Sequence, residues 1–96
     1  MKVKNLNGTK DHTCKCGSWI KHWEKFSGYD IPQFCSVKDC LGEDIVGGHV
    51  QKDSATDKGW YIIPICSSCN AKRGQDLDID DSTPLVSANV SKTCGK

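Results

Sequence analysis

Cys35-Ser-Val-Lys-Asp-Cys40 and, further along the chain, Cys66-Ser-Ser-Cys69 are the two stretches that decide how this sequence folds. A tetrahedral zinc ion takes thiolates about 2.3 Å away, and thiols separated by about two to four residues curl around one ion. Between the pairs lie two apolar stretches, Asp44-Ile-Val-Gly-Gly-His-Val50 and Trp60-Tyr-Ile-Ile-Pro64, joined by polar residues from Gln51 to Gly59. Their β-branched and aromatic content predicts a hairpin with a long connection, which returns the chain to the first thiol pair. The second pair then opens a short helix running through about Arg73 and stopped by Gly74. At such a position backbone N–H groups and the helix dipole favour thiolates. A thiol-bearing turn, a hairpin and a helix whose first turn supplies the last two ligands make a treble clef, with Cys35, Cys40, Cys66 and Cys69 on one structural zinc.

The composition agrees with a metal-dependent fold. The chain has 96 residues, of which 36% are hydrophobic, and seven are cysteines. Its mean hydropathy is -0.52. A chain this short buries only roughly 60% of its unfolded surface, so packing alone leaves it marginal. Met1 to His12 (MKVKNLNGTKDH) carries no apolar signal core and no small-residue cleavage site. No stretch approaches the roughly 18 apolar residues of a membrane span. The expectation is a cytoplasmic protein in a reducing compartment, where closely spaced thiols hold metal rather than disulfides.

Working outward, residues 1–12 are expected to be a flexible tail and residues 13–96 a single zinc-binding domain. Ser18 suits a helix N-cap and Gly28 a stop, with Trp19, Ile20, Trp23 and Phe26 at helical spacing and His22 at the edge of that face. The three tryptophans are expected to pack in the core; stacking on bases would need them exposed. Asp76, Asp78, Asp80 and Asp81 make an acidic loop, followed by an extended piece through Leu85, Val86 and Val90. Net charge is +1, which excludes the strong basic field of a tight non-specific nucleic-acid binder. The lysines of residues 1–25 could still steer an anionic partner. Cys14, Cys16 and Cys94 remain as ordinary thiols or as a second zinc site completed by His12, His22 or His49.

Gly48-His49-Val50 and Pro64-Ile-Cys-Ser-Ser-Cys-Asn70-Ala-Lys-Arg73 carry a resemblance. With them, residues 35–73 resemble the HNH (His-Asn-His) nuclease superfamily, a treble-clef variant with a ββα core. The resemblance implies a small α+β zinc-stabilised domain with an HNH-like core at about residues 35–74 and an additional N-terminal helix. It implies His49 as the general base that activates water, and Asn70 as a residue holding a catalytic Mg²⁺ or Mn²⁺. Two signature positions differ: Gly48 stands where a metal-holding side chain belongs, and Tyr61 where the middle Asn belongs. Glu43, Asp44 or Asp53 would have to supply the missing carboxylate. The expected function is therefore a non-catalytic zinc module binding nucleic acid or a protein. An HNH-type DNA or RNA endonuclease and a regulatory protein-interaction module with purely structural zinc are the alternatives.

Overall fold

The apolar stretches between the thiol pairs form the centre of the sheet. In the computed structural model, which describes residues 1–6, 16–54, 56–72, 74–90 and 93, β2 (Ile45–Lys52) and β3 (Trp60–Cys66) pair antiparallel. Their register runs from Ile45 opposite Cys66 to Gln51 opposite Trp60. The hairpin expected from Asp44–Val50 and Trp60–Pro64 is thus present and slightly longer. Three shorter strands complete the sheet. In chain order the described elements are β1 (Lys2–Asn5), α1 (Trp19–Ser27), β2, β3, α2 (Ser67–Asn70), β4 (Asp76–Asp78) and β5 (Val86–Ser87). The sheet order is β4-β1-β2-β3-β5, and every neighbouring pair is antiparallel.

Two expectations are corrected here. Lys2–Asn5 belongs to no flexible tail: it is an interior strand, with Val3 opposite Lys52 on one side and Leu77 on the other. Residues 7–12 lie outside the described residues. The first part of the acidic run, Asp76–Asp78, is likewise an edge strand, and Ile79 after it bridges Val37; Leu77 and Ile79 turn inward while Asp76, Asp78 and Asp80 stay exposed. The physical reason is the period of two along a strand, which lets alternate aspartates remain solvated while the residues between them fill a core. These two short strands stabilise one another through pairing and not through length.

The sheet has two unlike faces. On one, Val3, Val50, Ile63, Ile65, Leu77 and Ile79 gather with Cys35, Cys66 and Cys69. On the other, Trp19, Ile20 and Trp23 of α1 pack against Ile62 and Val86. Helix α1 starts and ends where its sequence signals place it. The Ser18 hydroxyl accepts from the Lys21 N–H at 3.3 Å, and Gly28 closes the helix at φ 76°. Its approach to the sheet depends on Gly47, where a Cβ would lie 2.5 Å from the Trp19 carbonyl carbon. The buried face differs from expectation in one respect. His22 is fully buried while Phe26 stays 38% exposed, because the imidazole Nε2 meets the Ser87 carbonyl at 2.9 Å and so has a polar partner in the interior.

Candidate metal centre

The first thiol pair is held by backbone stitching between two strands. The Ser36 N–H donates to the Pro64 carbonyl (3.1 Å), the Lys38 N–H to Asp78 (2.9 Å), and the Asp80 N–H back to Ser36 (3.0 Å). Asp39 takes a left-handed φ of 62°, which aspartate tolerates better than most residues, and the Cys40 N–H closes on the Val37 carbonyl at 3.1 Å. The Cys35 N–H also donates to the Gly42 carbonyl (2.8 Å). Gly42 must be glycine for this to work, because a Cβ there would sit 2.7 Å from the Cys66 sulfur. The second pair spans the junction of β3 and α2, with Cys66 capping the helix and Cys69 inside it. Helix α2 ends at Asn70, earlier than the expected Arg73, which lies outside the described residues.

These elements bring together all four cysteines singled out from the sequence. Their sulfurs lie within 4.8 Å of one another, and three of the four residues are buried. Cys40 Sγ is 3.8 Å from both Cys66 Sγ and Cys69 Sγ. A tetrahedron with arms of about 2.3 Å has edges of about 3.8 Å, so these separations fit thiolates sharing one ion. The cluster could hold a metal ion. Among the described residues no other group of three or more His, Cys, Asp or Glu side chains comes that close.

The electrostatics explain why a cation suits the site. Burial pushes the Cys35 thiol up, against backbone N–H groups of Cys66 and Val37 that pull it down. Burial and the sulfurs of Cys66 and Cys35 push Cys69 up. At Cys66 burial also acts upward, but the Cys69 N–H and the neighbouring thiols outweigh it and leave that thiol lowered. Four adjacent thiols cannot all ionise against one another, whereas a divalent cation at their centre removes that repulsion.

The residues matched to HNH chemistry fall elsewhere. His49 is 6% exposed and lies on the α1 face. The Trp19 ring stands edge-on to it at 4.6 Å and the Trp60 ring at 6.5 Å. Asn70 is on the opposite face, its Oδ1 lying 3.3 Å from where a Gly48 Cβ would be. Residues 48 and 49 point to opposite sides of β2, so the structure does not bring His49 and Asn70 together. A side chain at position 48 would also meet Ile65 Cδ1 at 2.5 Å. Of the carboxylates proposed to substitute, Asp44 accepts from Ser67 Oγ at 2.7 Å and Glu43 from Gln33 at 3.2 Å. Asp53 is exposed in the loop after β2.

Of the second-site residues, Cys16 and His22 meet at 3.8 Å. His12, Cys14 and Cys94 lie outside the described residues. One supporting residue escaped the sequence reading. Asn5 is 1% exposed, and its amide donates to the carbonyls of Cys69 (3.2 Å) and Asn70 (2.9 Å), fixing the end of α2. The only signal for it was its place in the alternation Lys2-Val-Lys-Asn5. Comparison with family models, with curated proteins and with solved structures found no match to this chain.

Proposed function

We propose that the chain is a zinc-binding module whose structural Zn²⁺ is held by Cys35, Cys40, Cys66 and Cys69, and that it works by binding a partner and not by catalysis. The observation that carries this reading is the clustering of four sulfurs within 4.8 Å. An all-sulfur tetrahedral set suits zinc, and four protein ligands leave no position for a reacting water. The order of thiol turn, hairpin and short helix supports a treble-clef, HNH-like reading of residues 35–74.

The endonuclease alternative would need His49 as base and a Mg²⁺ or Mn²⁺ ion beside it. The separation of His49 from Asn70, the indoles against His49 and the crowding at Gly48 all favour a structural histidine. Between partner classes, the surface favours a protein over DNA or RNA. Lys2 and Lys4 stand directly opposite Asp78 and Asp76 across β1 and β4, so these two lysines and the aspartates of β4 offset each other. Exposed apolar side chains, Tyr29, Ile31, Phe34 and Leu41, flank the first thiol pair.

Elemental analysis with a plasmid-nicking assay in Mg²⁺ or Mn²⁺ tests the whole reading. The expected result is at least one zinc per chain, no nicking, and a His49→Ala variant that keeps its zinc. Cleavage by the natural sequence that His49→Ala abolishes would establish the nuclease instead. A salt-dependent DNA shift at low micromolar protein would move the partner assignment to nucleic acid.

A further inference from the structure

We propose that Cys16 Sγ and His22 Nδ1 are two ligands of a second metal site, separate from the four-cysteine cluster and suited to a divalent ion that takes thiolate and imidazole, such as Zn²⁺. Gly17 turns the chain at φ 95°, and Ser18 caps α1, so Cys16 folds back over the first helical turn. There its sulfur lies 3.8 Å from the Nδ1 of His22. Arms of about 2.3 Å to sulfur and about 2.1 Å to nitrogen give a tetrahedral edge of about 3.6 Å, close to that separation.

A second, independent observation sets the imidazole's tautomer. His22 Nε2 is 2.9 Å from the Ser87 carbonyl, which can only accept, so Nε2 carries the proton. In the neutral ring Nδ1 then presents its lone pair on the side of Cys16. A metal-bound histidine ordinarily donates its other N–H to a carbonyl or carboxylate in this way, which fixes the ring and raises its basicity. The ring is fully buried, with Trp19 and Phe26 centroids at 5.0 and 4.9 Å, so its orientation is set by packing.

Metal binding here is simple exchange: the Cys16 thiol gives its proton to solvent as the metal–sulfur bond forms, with no change of oxidation state. Two further donors are required. The sequence offers Cys14, two residues before Cys16, and Cys94 as thiols that lie outside the described residues.

Zinc per chain, counted by native mass spectrometry and elemental analysis on the full-length protein, tests the site. Two ions are expected in the natural chain, and one in Cys16→Ser and in His22→Gln. Cys40→Ser should lose the cluster ion and with it the fold, so the second site is scored by Cys16→Ser and His22→Gln, which leave the four cysteines intact. A purely structural His22 would lower the melting temperature and leave the count unchanged. One ion in the natural chain that Cys40→Ser removes and Cys16→Ser does not, or two ions retained in Cys16→Ser, would overturn the proposal. Should His22→Gln fail to fold, Cys16→Ser at a half-buried thiol still decides. The same loss on Cys14→Ser or Cys94→Ser identifies that thiol as a further ligand.

Discussion

The two faces of the sheet are built on different physics. One gathers aliphatic side chains around four sulfurs that share a small volume, in loops stitched to the sheet by backbone hydrogen bonds. The other is a packing surface, where a capped helix lays indole rings on Ile62 and Val86 and its close approach depends on a glycine. Around the first face's thiols local sequence carries little secondary structure, since α2 is four residues long and the segment bearing Cys35 and Cys40 is turn and loop. On the second, local signals for α1 are strong. The comparison implies that removing the ion of the four-cysteine cluster should undo the first face outright, whereas packing damage to the second should be graded.

The largest effect is expected at the cluster. Structural zinc contributes an apparent ~10–16 kcal/mol in finger-sized peptides at pH 7, more than a small domain's net stability. Cys66→Ala should therefore lose zinc and cooperative unfolding together, read by elemental analysis and by amide dispersion in an NMR spectrum. A well-dispersed spectrum from a zinc-free chain would erase the contrast between the faces.

Gly47→Ala probes the other face. Its new methyl would lie against the Trp19 backbone, so α1 must shift outward at a cost of about 1–3 kcal/mol. Denaturant midpoints and tryptophan fluorescence should change while zinc content stays constant. Equal loss of zinc would show that the faces are coupled more tightly than their contacts suggest. A smaller effect, about 1 kcal/mol, is expected from Ser18→Ala, which removes the hydroxyl that caps α1. Thermal unfolding measures it, and a change within error would mean the helix is held by packing alone.

The smallest effect lies in the hairpin connection, away from both faces. The Asp57 carboxyl is lowered from 3.8 to about 2, first by the Tyr61 hydroxyl at 2.7 Å, then by the Gly59 N–H and Lys52. A depressed carboxylate stabilises the fold above its unfolded pKa, and that contribution is lost as pH falls toward about 2. Asp57→Asn should remove this acid-side dependence and lower stability slightly near neutrality, where the carboxylate's contribution is fully present. An NMR titration placing Asp57 at an ordinary value would remove the carboxylate as an anchor of that loop.

Much of the site was legible in the sequence because its signals are local. Paired thiols, β-branched runs between them, and a Ser18-to-Gly28 helix each declare themselves within a few residues. The same signals predicted a hairpin that returns Cys66 and Cys69 to Cys35 and Cys40, while its register came from the structure. The HNH-like positions were a different matter, since adjacency in sequence says nothing about which side of a strand a residue takes until the strand's partners are known.

By itself, then, the sequence determined the four thiols, the central hairpin and the capped helix, all set by short-range chemistry. Only the tertiary structure decided that Lys2–Asn5 is an interior strand, that Asp76–Asp78 is an edge strand beside it, and that His22 joins Trp23 as a buried ring of α1 while Phe26 stays exposed. In each case the stabilising partner lies far away in the chain. Val3 meets Leu77, the Asn5 amide meets carbonyls at the end of α2, and the His22 ring meets Ser87. A four-residue strand or a buried polar group is unfavourable without its partner, and that partner exists only once the chain has folded.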